Sequence, residues 1–183
     1  MEKVPLPTIT RLTADDFRSR IPSLADLLAD VVAGGSSLGF LAPFDRNAAA
    51  AWWAALEPAV ANGNLAVWIA ENTQDTNGGT GIAGTVSLAL EPKPNGRHRA
   101  EVVKLMVHRD ARGRGLGQAL LTTAEQAAAR AGATLLLLDT EADSAADHLY
   151  RTTGWTRYGT VPQYAAGPTG SLRDCNFYYK QLS

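Results

Sequence analysis

The chain has 183 residues, enough for one domain and too few for two of ordinary size, so it is read as a single domain over 1–183. Hydrophobic residues make up 45% and charged residues 19%, a globular composition that argues against disorder. Lys and Arg total 17 against 18 Asp and Glu, and this balance gives no reason to expect nucleic acid or an anionic membrane as partner.

The first ten residues, MEKVPLPTIT, carry an early acid and two prolines where a signal peptide needs an apolar core. Thr8 to Leu12 alternates and predicts a first strand. Pro22 is placed near the start of a helix, where proline is tolerated. Leu24, Leu27, Leu28 and Val31 then form its apolar face, and Gly34-Gly35 ends it. Ser36 to Asp45 reads as a loop holding Leu38, Phe40, Leu41 and Phe44. A second helix is predicted over Asn47 to Ala61, closed by Asn62-Gly63, with Trp52 and Trp53 as packing residues. Its apolar run Ala48–Leu56 falls well short of the roughly 20 residues a membrane helix requires. A cytoplasmic location is therefore expected.

The period then shortens. Leu65 to Ala70 and Ile82 to Leu90 read as strands of a hairpin, joined by the polar spacer Asn72 to Gly81. Glu101 to Val107 is a third, buried strand with an irregularity near its end, because Lys104 interrupts its apolar run. The basic, glycine-rich Arg112-Gly113-Arg114-Gly115-Leu116-Gly117 leads into a helix to Ala131, whose face is Leu116, Leu120, Ala124 and Ala127. Thr134 to Leu138 is a short apolar strand ending at Asp139, and the last helix starts near Ser144, which forms a capping box with Asp147. Trp155 to Val161 and Asn176 to Lys180 complete the set. The order β-α-α-β-β-β-α-β-α-β-β predicts an α/β fold, a mixed sheet with helices on its faces. Cys175 is the only cysteine, and with three histidines it cannot fill a Cys-rich zinc site, so no metal is expected.

Glu101 to Ala131 carries the chemistry. Glycines at 113, 115 and 117 clear side chains where backbone must approach a ligand. The helix that follows offers free N–H groups and a positive dipole end, which suit phosphate, and Arg109, Arg112 and Arg114 add charge nearby. A flexible turn with solvated arginines is the plainer alternative. A Walker A loop is excluded because Gly-Leu-Gly-Gln stands where Gly-Lys-Ser/Thr is needed. A dinucleotide fingerprint is excluded because the glycines are spaced G-x-G-x-G.

Arg112 to Gly117, between its strand and its helix, resembles the coenzyme-A loop [Q/R]-x-x-G-x-[G/A] of the GNAT superfamily of N-acetyltransferases. Leu149-Tyr150-Arg151-Thr152-Thr153-Gly154-Trp155 is similar to the superfamily's second signature. Within it, Gly34 to Phe40, Lys93 to Gly96, Ala100 to Val107, Ala111 to Gly117 and Leu138 to Ala142 resemble the tabtoxin-resistance branch. The resemblance implies the GNAT fold, acetyl-CoA as co-substrate and transfer of acetyl to a small primary amine, with toxin or antibiotic resistance as the role. It implies Arg112, Gly113, Arg114, Gly115, Leu116 and Gly117 as the phosphate-binding loop, and the backbone of Leu105, Met106 and Val107 as partner of the pantetheine arm. Ser144 stands where relatives have a cofactor-contacting Asn, and capping explains it equally well. Acetylation of a protein N-terminus or lysine, and a non-catalytic acetyl-CoA sensor, are the alternatives. The last strands offer a route to a homodimer.

Acyl transfer needs a base for the amine, whose pKa is about 10.4 if lysine-like, and an acid for the leaving thiolate. Glu101 and Asp139 are the candidate bases and Tyr150 the candidate acid. The plainer assignments are an ion pair of Glu101 with Arg97 or Arg99, a turn cap by Asp139 at Thr140, and core packing by Tyr150. Cys175 is read as a small buried strand residue, with a ping-pong acetyl-cysteine route kept open. His98, His108 and His148 are left outside the chemistry.

Overall fold

The computed structural model describes residues 6–71 and 81–182. The hairpin spacer at 72–80 and the first five residues lie outside them. Seven strands form one sheet in the order β1-β2-β3-β4-β5-β7-β6. They are β1 (Ile9–Arg11), β2 (Leu65–Glu71), β3 (Ile82–Leu90), β4 (Arg99–Val107), β5 (Leu135–Glu141), β6 (Thr156–Ala166) and β7 (Leu172–Gln181). Every neighbouring pair is antiparallel except β4 and β5, which run parallel across the helix α4 (Leu116–Arg130). The α/β class and the order of elements stand as the sequence predicts.

Helix α1 (Ala14–Ala33) begins well before Pro22. Thr13 caps it: its hydroxyl accepts from the Asp16 N–H at 3.1 Å, and the Asp16 carboxylate accepts back from Thr13. Pro22 is therefore internal, and the face of Phe17, Leu24, Leu27, Leu28, Val31 and Val32, buried on the sheet, holds the helix together across the missing N–H. The predicted second helix is two, α2 (Arg46–Ala54) and α3 (Glu57–Ala61), because Pro58 lies in the first turn of α3 and cannot donate back into a continuous helix.

Two buried clusters lie on opposite faces of the sheet. One packs α4 and α5 (Ala145–Thr152) against Ala100, Val102, Leu136, Leu138 and Tyr178. The other packs α1 and α2 against Val67, Ile69 and Met106. Gly84 lets α4 close on β3: a Cβ there would stand 2.9 Å from Leu120 Cδ1 and 2.9 Å from the Met106 carbonyl oxygen.

Two irregularities shape the functional end. The β3–β4 register steps from Ser87↔Val103 to Thr85↔Met106, so β4 carries one extra residue, and Lys104 there has φ +52°. This is the irregularity expected near the strand end. An extra residue inverts side-chain parity: Ala100 and Val102 face the α4 cluster before the bulge, and Leu105 and Val107 face it afterwards. Further, β4 and β5 pair only through Arg99↔Leu135, Ala100↔Leu136 and Glu101↔Leu137. Both strands continue beyond Glu101 and Leu137 unpaired with each other, and the sheet opens between them.

Candidate active site

The opening is a cleft of about 800 Å³. Its walls include the loop 34–39, residues 102–107 of β4, the turn before α4, residues 139–141 of β5, and Ser144, Leu149 and Tyr150 of the last helix region. A smaller depression of about 490 Å³ at His98, Thr134 and Leu182 lies at the opposite ends of β4 and β5 and holds none of the predicted site residues.

The glycine turn lines the cleft at the N-terminus of α4. Gly115, at φ +86°, is the residue from which α4 starts, and no side chain caps the helix there. Gly113 has φ +74°, and a Cβ at either glycine would meet nothing within 4 Å. Both are glycine for their left-handed backbone, and both leave open space before uncapped N–H groups, an arrangement that accepts a phosphate chain. Gly117 differs: an added Cβ would meet Leu149 Cδ2 at 3.6 Å and Val107 Cγ2 at 3.7 Å, ordinary contacts. We therefore expect Gly117→Ala to keep acetyl-CoA affinity within about threefold, while Gly115→Ala, forced into a conformation costing about 1–2 kcal/mol, loses affinity roughly tenfold. Calorimetric titration with coenzyme A distinguishes the two.

The arginines divide. Arg112 lines the cleft, and its Nε donates to the Val107 carbonyl at 3.1 Å. Arg114 is exposed beside it. Arg109 is withdrawn from any phosphate role, because its guanidinium is paired with Asp30 at 2.6 Å on α1. Leu116 and Met106 each bury their side chains, on opposite faces of the sheet, so neither offers its side chain to a ligand. The His108 N–H donates to the Ala83 carbonyl at 2.8 Å, so by the alternation of the ladder Val107 turns its backbone away from β3 and toward the cleft.

Glu101 and Asp139 fall on one face of the sheet. Glu101 pairs in register with Leu137, and Asp139 is two residues further on. Asp139 lies inside β5 rather than ending it, because the strand runs on to Glu141 against β7. Much of Glu101 stays open to solvent, yet nearby protein mass and then the Asp139 carboxylate hold it above the ordinary carboxylate range, with Lys104 opposing. The plainer pairings are not found: Arg99 pairs with Glu91 at 2.9 Å, and Asp139 accepts from the Cys175 thiol at 3.4 Å instead of capping Thr140. Burial and Asp139 push that thiol up to about 12, which makes Cys175 a poor nucleophile and removes support from an acetyl-cysteine route.

Tyr150 approaches from the other face. It is 5% exposed, packed against Trp155 and Tyr178 at ring distances of 5.9 and 6.0 Å, and it lines the cleft. Burial and then Asp139 raise its phenol well above its usual value, so it stays protonated at neutral pH. Its hydroxyl has no hydrogen-bond partner among the described residues.

Ser144 caps α5, accepting from the Asp147 N–H at 3.1 Å, and lines the cleft. The capping box is incomplete, since the Asp147 carboxylate accepts from the Asp143 N–H instead. Asp147 is a residue whose importance the sequence reading missed. It is 1% exposed and also accepts from Tyr178 Oη at 2.6 Å and Asn176 Nδ2 at 2.9 Å. Lys104 is half-buried, and its Nζ donates to the Leu38 carbonyl at 2.8 Å. Among the described residues, no group of three or more His, Cys, Asp or Glu could hold a metal ion, and no helix is long and apolar enough to cross a membrane.

Known structures share the fold. An acetyltransferase from Acinetobacter baylyi ADP1 superposes with a TM-score of 0.77 over 100% of this chain and 95% of its own, at 21% identity. A ribosomal-protein-alanine N-acetyltransferase from Brucella melitensis gives 0.73 over 96% and 99%, at 26% identity. An acetyltransferase from Salmonella typhimurium, solved with its cofactor acetyl-CoA, gives 0.72 over 96% and 95%, at 21% identity. The model of the Acetyltransferase (GNAT) family matches residues 37–155, which span the bulged strand, the glycine turn and Tyr150. The chain belongs to the GNAT family of acetyl-CoA-dependent acetyltransferases.

Proposed function

We propose that this protein transfers acetyl from acetyl-CoA directly to the primary amine of a small molecule. The observation that carries the reading is the gap between β4 and β5, lined by Asp139 from one sheet face and Tyr150 from the other, with Glu101 at its edge where the pairing ends. The glycine turn and the start of α4 hold the pyrophosphate, with Arg112 beside them, while the backbone of Leu105 to Val107 holds the pantetheine arm along the unpaired edge. An N–H on this edge polarises the acetyl carbonyl. Asp139 or Glu101, directly or through water, takes the proton of the incoming ammonium, and Tyr150 returns one to the departing sulfur.

The acceptor enters on the face that carries α1 and α2. There Phe40 stacks on Phe44 at 4.3 Å and meets Trp52 edge-on at 5.4 Å, an apolar wall behind loop 34–39 that suits a small, partly apolar amine. The resemblance of Gly34 to Phe40 and Lys93 to Gly96 to the tabtoxin-resistance branch supports a toxin or antibiotic as that amine. A second reading, acetylation of a protein N-terminus, draws on the Brucella melitensis neighbour. Exposed Tyr158, Val161, Tyr164 and Leu172 on β6 and β7 support pairing with a second copy of the chain.

The test is free-thiol release from acetyl-CoA against small amines, β-lactam and amino-acid toxins, aminoglycosides, polyamines and N-terminal peptides. Turnover on one small amine supports the reading, and turnover on peptides alone overturns the small-molecule assignment. Glu101→Gln with Asp139→Asn is expected to lower kcat by about 10²-fold. The rise of rate with pH, set in the parent by a carboxylate held above its ordinary value, then moves toward the acceptor's own pKa, about 10 for an alkylamine. A double variant with the parent's profile would remove both carboxylates from the chemistry.

A further inference from the structure

Lys104 is the extra residue of the β4 bulge, held at φ +52°, a conformation that few residues other than glycine adopt. The parity change turns its side chain to the face that carries Glu101 and Asp139, and it lines the same cleft. Its ammonium sits 5.4 Å from the Phe40 ring centroid and 5.3 Å from that of Trp52, and it donates one hydrogen bond, to the Leu38 carbonyl. A primary ammonium has three donors, and no carboxylate ion-pairs with this one among the described residues. The contrast is Lys180, which is bound to Glu125 at 2.8 Å. The chain thus places a primary amine of its own against the aromatic wall of the acceptor side, beside the two carboxylates proposed to accept the acceptor's proton.

We propose that Lys104 is a self-acetylation site, an internal acceptor of the acetyl group delivered to this cleft. This rests on the functional reading above. Burial already pulls the ammonium below the ordinary lysine range, against the opposing pull of Asp139 and Glu101, which eases loss of its proton. The ammonium gives a proton to the Asp139 or Glu101 carboxylate, and the Nζ lone pair attacks the thioester carbonyl carbon. A C–N bond forms, the nitrogen gives its second proton to solvent, the C–S bond breaks, and the leaving sulfur takes a proton from Tyr150; the carboxylate then releases its proton to solvent and Tyr150 regains one. The net products are acetyl-lysine, free coenzyme A and one proton. Nothing is oxidised or reduced. The acetylated side chain has no charge to hold against Phe40 and Trp52, and its added bulk occupies the acceptor side. Self-acetylation therefore shuts the enzyme when acetyl-CoA is plentiful and acceptor is scarce.

The purified protein is incubated with acetyl-CoA and no amine, and acetylation at Lys104 and at exposed Lys93 is followed by peptide mass spectrometry. Lys104 is expected to acquire one acetyl group at least about tenfold faster than Lys93, because the delivered thioester is held beside it. The rate is expected to be independent of protein concentration, as an intramolecular step requires. Lys104→Arg should lose the modification and keep coenzyme A affinity, and the modified protein should show altered emission from Trp52. Acetyl-CoA bound with Lys104 unmodified, or modified no faster than Lys93, overturns the proposal and leaves the transferase reading intact. A rate that rises with protein concentration overturns the internal transfer. Absence of both acetyl-CoA binding and thiol release with every amine overturns the reading on which the proposal rests, and the proposal with it.

Discussion

Tyr150→Phe is expected to lower kcat by about 10²- to 10³-fold, while KM for acetyl-CoA and thermal stability stay close to the parent's, as loss of a general acid predicts. The phenol ring is packed between Trp155 and Tyr178, and phenylalanine keeps those contacts. The hydroxyl makes no hydrogen bond among the described residues, so its loss leaves no protein group unpaired. Burial and Asp139 keep it protonated in the working pH range, the state in which it can donate to a thiolate. Steady-state kinetics separate the roles: a near-parental kcat would reduce Tyr150 to a packing residue.

The largest effect on stability is expected at Asp147. Its carboxylate collects donors from three elements: Tyr178 and Asn176 of β7, the Asp143 N–H ahead of α5, and Arg151 at 3.8 Å one turn along the helix. Asn176 in turn accepts from Thr160 Oγ1 of β6 at 2.6 Å, so the network ties α5 to both terminal strands. Asp147→Ala leaves buried donors unpaired and opens a cavity, for an expected loss of about 3–5 kcal/mol in denaturant unfolding. The pH dependence has a definite sign. Burial raises the Asp147 pKa, but the hydrogen bonds from Tyr178, Asn176 and Asp143 outweigh it, and the net shift is downward. A depressed carboxylate stabilises the fold above its unfolded value of about 3.9 and loses that contribution as pH falls through the lower folded value. The parent should therefore lose stability on acidification below about pH 4, a loss from which Asp147→Asn removes this group's share. An Asp147→Ala chain as stable as the parent would show that the network contributes nothing.

Several features were legible in the sequence because they rest on local chemistry. Gly113 and Gly115 stand in the turn that opens α4 beside the cleft, where their pattern placed them, and Tyr150 lies on the helix the Tyr-to-Gly-Trp signature places there. The irregularity in β4 was visible as a break in apolar alternation around Lys104. Arg109 was grouped with the phosphate-binding arginines because it is near them along the chain, yet Asp30, far away in sequence, claims it. Pro22 suggested a helix start, and the Thr13–Asp16 box placed that start at Ala14, eight residues earlier.

By itself, the sequence determined the class of fold, the order of its elements and the glycine turn that opens α4, since periodicity, caps and glycine backbone act over a few residues. The tertiary structure decided what those elements do together. The bulge at Lys104 changed which side chains share a face, and the early end of β4–β5 pairing opened the cleft. The same packing brought Asp139, Cys175 and Tyr150 to one place, and Asn176 and Tyr178 to Asp147. Each of these depends on register between distant segments, which side-chain volume and hydrogen-bond satisfaction select only once the whole sheet is assembled.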